Sequence, residues 1–136
     1  MEDDPEMSAT PEIQDAVVSV VEATDSITAL ELVGEFDLNA VPTLLENAER
    51  VLGEGRDLIV NLSDATFIDS SIVHTLFEAN ESARSAGRVL VLQFGTHAAV
   101  ERVLSITGAD THLVTASTRL RAIELVEQLG AQAPAA

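Results

Sequence analysis

The 136-residue chain has no lysine, no cysteine, no tryptophan and no tyrosine, and each absence removes a class of function. All seven basic residues are arginine (Arg50, Arg56, Arg84, Arg88, Arg102, Arg119 and Arg121), so a Schiff-base lysine and a phosphate loop built on an ammonium are both excluded. Without cysteine there is no thiol nucleophile, disulfide scaffold, iron–sulfur cluster or cysteine-based zinc site. Four phenylalanines are the whole aromatic set, and 23 acids against 7 bases give a net charge of −16. Such a chain repels phosphodiester backbones and has few rings on which to stack bases, so direct nucleic-acid binding is not expected. The same charge disfavours anionic membrane surfaces, and no apolar run approaches the roughly 20 residues of a spanning helix. The start Met1-Glu2-Asp3-Asp4 is the reverse of a basic signal-peptide start, which points to a cytoplasmic protein.

What is present is enough apolar material, 46% of residues, for one well-packed domain. Residues 1–15 carry six acids, two prolines and no base, the composition of a disordered, solvated tail. Residues 16–129 hold the remaining 17 acids and all 7 arginines, and read as the folded domain. The Ala/Pro-rich end, 130–136, reads as a flexible tail.

Within 16–129, short β-branched runs alternate with helical spacing. Strands are expected over 16–21 and 27–33, joined by a turn over 22–26 and ended by Gly34-Glu35-Phe36-Asp37. Val41, Leu44, Leu45, Ala48, Val51 and Leu52 recur at helical spacing, with Pro42 tolerable in the first turn and Gly53 as a stop. A buried-type strand comes next over 58–62, then a helix from Asp69 to Gly87, and a strand over 88–94. A helix over 97–106, a strand over 111–115 and a helix over 117–129 complete the order ββαβαβαβα. This is an α/β fold, a mixed, mostly parallel sheet of about five strands with flanking helices, its opening hairpin antiparallel. The phenylalanines fall mostly in core patterns, with Phe36 exposed in its loop.

In open α/β sheets chemistry sits at the carboxyl ends of strands. Gly34-Glu35-Phe36-Asp37 and Thr66-Phe67-Ile68-Asp69-Ser70-Ser71 both place an aspartate there, before a helix start. Asp69 or Ser70 is a natural N-cap. A serine in that first turn stands at the positive end of the helix dipole and suits a phosphoryl group, whose charge nearby Asp69 and Asp37 would oppose. His74, three residues after Ser71, shares its helix face and would be the base of a small serine hydrolase, although no nucleophile elbow or third triad member accompanies it. His97 and His112 are isolated, and Asp37 with Asp69 makes a weak case for magnesium among 23 acids; no metal or cofactor is expected.

Three motifs, Gly34-Glu35-Phe36-Asp37, then Ile59-Val60-Asn61-Leu62-Ser63 leading to Phe67-Ile68-Asp69-Ser70-Ser71, then Val100-Glu101-Arg102-Val103-Leu104-Ser105-Ile106-Thr107-Gly108-Ala109-Asp110, occur in order across 16–129. Together they resemble the STAS domain family of anti-sigma factor antagonists. The resemblance implies a mixed sheet flanked by helices, and a domain that binds an anti-sigma factor kinase of the histidine-kinase-like ATPase type while unphosphorylated. It implies phosphorylation on Ser71, with Ser70 as the alternative acceptor, Asp37 and Asp69 as the neighbouring acids, and a serine phosphatase that restores binding. Phe36, Asp37, Ser70, Ser71, Ile72 and His74 are then the expected partner-facing residues, with Ile72 standing where the family commonly has a small residue. Family members also act as unphosphorylated interaction or scaffold subunits of stress-signalling and lipid-transport assemblies, which is the alternative reading.

Overall fold

In the computed structural model, residues 16–132 are described, and the segments 1–15 and 133–136, where most of the two expected tails fall, lie outside them. The opening hairpin pairs β1 (Val17–Glu22) with β2 (Ile27–Phe36) antiparallel, from Val17 opposite Val33 to Glu22 opposite Thr28. The Thr24 hydroxyl closes its turn by accepting from the Ser26 and Ile27 N–H groups at 3.2 and 3.1 Å. Arg56 clamps the same turn, donating to the Thr28 hydroxyl at 2.6 Å and to the carbonyls of Asp25 and Thr24 at 2.8 and 3.0 Å. A guanidinium fork can make these bonds at once, where an ammonium would meet them one by one.

From β2 onward each strand adds in parallel. A 3-10 turn (Leu38–Ala40) and α1 (Val41–Gly53) lead to β3 (Asp57–Ile68), α2 (Ser70–Ser85) to β4 (Leu90–Gln93), and α3 (Ala98–Thr107) with the single turn α4 (Ala109–His112) to β5 (Thr115–Ala116). The last helix is α5 (Arg119–Gln132), and the five strands lie in the order β1-β2-β3-β4-β5. One antiparallel edge on an otherwise parallel sheet is the mixed architecture that the sequence predicts.

Burial on both faces of β3 explains its unbroken apolar start, Leu58-Ile59-Val60. Leu30, Leu58, Val60 and Leu90 face the larger core with Leu44 and Val51 of α1, Leu76 and Ala79 of α2, and Leu104 of α3. Ile27, Ile59 and Val91 face the smaller one, under Ala122 and Val126 of α5. A polar row crosses this second face. Glu31, Asn61 and Gln93 occupy paired positions on β2, β3 and β4. The Asn61 amide donates to Glu31 at 2.6 Å, while Arg119 donates to Gln93 at 3.0 Å and pairs with Glu31, tying the start of α5 to the sheet.

Four boundaries differ most from the sequence expectation. β2 runs three residues past Val33, through Gly34 at φ 106°, and β3 continues to Ile68 instead of ending near Leu62. Two register shifts account for both extensions: Ile27 pairs with Asp57 but Phe36 pairs with Ile68, so β3 carries two extra residues. The strand expected over 111–115 is reduced to two residues, because Gly108 at φ 81° starts another turn in which the amides of Thr111 and His112 bond back to the Gly108 carbonyl. At the other end of the domain, α5 continues to Gln132 where the sequence leads one to expect a flexible tail from 130, since Ala131 and Gln132 are good helix formers.

The core makes a direct prediction. Leu76 of α2, fully buried in the larger core, should cost about 2–5 kcal/mol on Leu76→Ala, whereas Val20→Ala on the exposed edge should change stability by no more than about 0.5 kcal/mol. Urea unfolding of the two variants checks the contrast; equal midpoints would mean that α2 does not seal this core.

Candidate functional site

Pairing of Phe36 with Ile68 ends two adjacent parallel strands at the same level, and an aspartate succeeds each. Asp69 is held there by its own backbone, its N–H donating to the Phe36 carbonyl at 3.2 Å. Asp37 and Asp69 therefore sit on neighbouring chains whose axes are about 4.8 Å apart. Both are extended, at φ −121° and −112°, and each caps the helical turn after it. Asp37 accepts from the Asn39 N–H at 2.9 Å and so starts the 3-10 turn. Asp69 accepts through Oδ1 from the N–H groups of Ser71 and Ile72, at 3.0 and 3.3 Å, and so starts α2. Of the two cap candidates in the sequence, Asp69 is the one that acts.

Ser71 is half-buried in the first turn of α2, and its hydroxyl donates to the same Asp69 oxygen at 2.5 Å. Ser70 is exposed beside it. The site thus has a serine hydroxyl at the positive end of a 16-residue helix, hydrogen-bonded to one carboxylate, with a second carboxylate just past the end of the adjacent strand. A phosphoryl group on Ser71 would add about −1.5 to −2 charges next to two carboxylates.

Two expected partner-facing residues are not placed as the sequence suggests. Phe36 is fully buried, because β2 continues through Gly34 and its side chain joins the larger core opposite Ile68. Ile72 is also fully buried: the third residue of α2 points into the core, so the bulky side chain after Ser71 does not stand on the docking face. His74 is exposed one turn along α2 from Ser71, with Glu78 at 4.0 Å. Asp69, Ser70 and Ser71 form the start of α2, and Asp37 follows the end of the strand paired with the one that leads to them.

Two residues near this rim escape sequence reasoning. Leu38, just after Asp37, is 67% exposed, and Phe67, just before Ile68, is 41% exposed. Phe67 takes the exposed role expected of Phe36, because the second register shift turns it away from the core. The signal is the apolar spacing Leu62, Ala65, Ile68, a period of three in place of two, which leaves Phe67 outside. Among the described residues, no helix is long and apolar enough to cross a membrane.

The STAS domain family model matches residues 19–122, and the chain belongs to this family. No curated protein matches it by sequence. Its structure is similar to that of an anti-sigma factor antagonist from Mycobacterium paratuberculosis, with a TM-score of 0.74 and 20% identity over 88% of this chain and 99% of that one. It is similar to the anti-sigma factor antagonist SpoIIAA in its unphosphorylated form, with a TM-score of 0.70 and 21% identity over 82% and 97% of the two chains. The Bacillus cell fate determinant SpoIIAA in its phosphorylated form gives a TM-score of 0.62 and 20% identity over 81% and 99%. The fold is that of the anti-sigma factor antagonists.

The double use of Asp69 sets the expectation for stability at the site. Asp69→Ala should cost about 1 kcal/mol by removing the cap, and Asp69→Asn should cost less, since Asn caps nearly as well. Denaturant unfolding checks this; equal losses in the two variants would show that charge, not the cap, holds the start of α2.

Proposed function

We propose that the chain is an anti-sigma factor antagonist that works by reversible protein binding. Unphosphorylated at Ser71, it binds an anti-sigma factor kinase of the histidine-kinase-like ATPase type and so frees a sigma factor. Phosphorylation of Ser71 releases the kinase, and a serine phosphatase resets the switch. The unit that does this is the domain over 16–129, acting in the cytoplasm without direct contact to nucleic acid. ATP, magnesium and catalysis belong to the partner; this chain is the substrate and the ligand, not an enzyme.

The observation that carries this reading is the position of the Ser71 hydroxyl, hydrogen-bonded to Asp69 at a helix start with Asp37 just past the end of the neighbouring strand. Two carboxylates are tolerable there while the serine is neutral, because each caps a turn through backbone N–H groups. A dianion added inside a closed interface meets both with little water between them, and repulsion plus desolvation then weaken the complex. Membership of the STAS family supports the reading, as does similarity to an antagonist known in both phosphorylated and unphosphorylated forms. The burial of Ile72 also favours it, since the acceptor's neighbour leaves the helix start open to a partner. Asp37, Ser70 and the exposed Leu38 and Phe67 supply the polar and apolar parts of the docking rim.

Partner capture from a lysate of the source cells, then calorimetric titration with the purified partner, tests this. Ser71→Ala should bind as the wild type does, and Ser71→Glu should bind about 5- to 150-fold more weakly, a coupling of roughly 1–3 kcal/mol. With magnesium and ATP the kinase should place one phosphate on the wild type and none on Ser71→Ala. Equal affinities for the two variants would overturn the switch in favour of a constitutive scaffold; label retained in Ser71→Ala and lost in Ser70→Ala would move the acceptor by one residue.

A further inference from the structure

The first of the two register shifts has a side chain built into it. Glu31 stands opposite Asn61 but Val33 stands opposite Asp64, so Leu62 and Ser63 share the place across from Leu32. A bulge of this kind takes a residue out of the ladder and leaves its N–H in need of another partner. The N–H of Ser63 donates to the side-chain oxygen of Asn61 at 2.9 Å. On its other side the Asn61 amide donates to Glu31 Oε1 at 2.6 Å, and Arg119 pairs with Oε2 of the same carboxylate while donating to Gln93 at 3.0 Å. Asn61 is only 8% exposed and has a single orientation, because a carboxylate accepts hydrogen bonds and a backbone N–H donates them. Arg119 of α5 therefore fixes Glu31, Glu31 fixes Asn61, and Asn61 fixes the bulge.

We propose that Asn61 is a positioning residue for the Ser71 site, acting from the second face of the sheet through the bulge at Leu62 and Ser63. The use made of Ser71 rests on its reading as the phosphate acceptor; the placement of the site does not. Up to Asn61 the two strands keep the register that starts with Ile27 against Asp57, and beyond the bulge every residue of β3 meets β2 later than that register would allow. Without the extra residue the pleat would carry Asp64 toward the larger core in place of Ala65, although Asp64 is exposed and Ala65 fully buried. The end of β3 would slide with it. Asp69, whose N–H donates to the Phe36 carbonyl at 3.2 Å, would then lose both that anchor and its level with the end of β2. Asp69 in turn holds the Ser71 and Ile72 N–H groups, so releasing Asn61 leaves the start of α2 without one position for a partner to meet.

The test uses the full chain. Asn61→Asp keeps an acceptor for Ser63 but sets a carboxylate against Glu31, and the double variant Glu31→Gln with Asn61→Asp restores the hydrogen bond with its direction reversed. Amide hydrogen exchange reads the placement of the site, and labelling by the captured kinase with magnesium and ATP reads its use. In Asn61→Asp the amides of Asp69 and Ser71 should exchange at least about tenfold faster relative to that of Leu92 in β4. The kcat/KM for labelling should fall by about 10- to 100-fold, and the double variant should return both readouts to near the wild type. Val126→Ala, which weakens the smaller core under α5 without touching the polar row, should leave the ratio of Asp69 to Leu92 exchange unchanged, since a loss of stability alone moves both amides together. If Asn61→Asp does not fold, Arg119→Gln, which frees Glu31 and leaves Asn61 in place, should show the same two changes at smaller size. Unchanged relative exchange at Asp69, or changes that the double variant does not restore, overturns the assignment. Faster exchange with unchanged labelling overturns the link to Ser71. No label on wild-type Ser71 overturns the proposed switch, while the exchange measurement still decides whether Asn61 places the start of α2.

Discussion

Everything at the carboxyl end of the sheet depends on how β2 and β3 are paired. Their register begins with Ile27 against Asp57 and ends with Phe36 against Ile68, so two extra residues are absorbed within β3. Each shift keeps an apolar residue turned to the larger core, giving the inward series Leu58, Val60, Leu62, Ala65 and Ile68. The result is that both strands stop at one level, with Asp37 and Asp69 side by side and each starting a helical turn. A slip of one residue would turn Phe36 or Ile68 outward and carry an aspartate out of reach of its cap, so the core enforces the geometry of the site.

In the proposed switch, local charge matters more than total charge. A net charge of −16 gives the chain a strong field, but ordinary salt screens exposed charges beyond about 8–10 Å. In the proposed function, a partner that covers the start of α2 removes that screening beside Asp69 and a phosphorylated Ser71. Asp37 and Asp69 are compatible with the unmodified domain because backbone N–H groups hold them. Arginine has the complementary structural role elsewhere: Arg56 locks the hairpin turn, and Arg119 joins the polar row under α5, leaving the two faces of the sheet with different tasks.

Much of this is legible in the chain. The alternation of β-branched runs with helical spacing gives the element order and the mixed sheet, and the Asp-Ser-Ser triplet after a strand marks the candidate site. Position 36 misleads because a Gly-Glu-Phe-Asp stretch has the composition of a loop, while pairing to β3 carries the strand through it. Phe67 misleads for the same reason, since bulges change the apolar period from two to three and no local propensity announces that. Residues 111–114 look like a strand by composition, and a left-handed Gly108 winds Thr111 and His112 into a turn instead. Side-chain direction is the least legible feature: that Ile72 enters the core, and that the Ser71 hydroxyl folds back on Asp69, is decided by where α2 packs.

The central claim is that a single charge change at Ser71 controls association. Calorimetric titration of the purified partner with unphosphorylated chain and with chain stoichiometrically phosphorylated on Ser71 measures that change directly. The account predicts weaker binding of the phosphorylated form by at least about fivefold, with the folded state intact by circular dichroism. Equal affinity for the two forms, both folded, would contradict it.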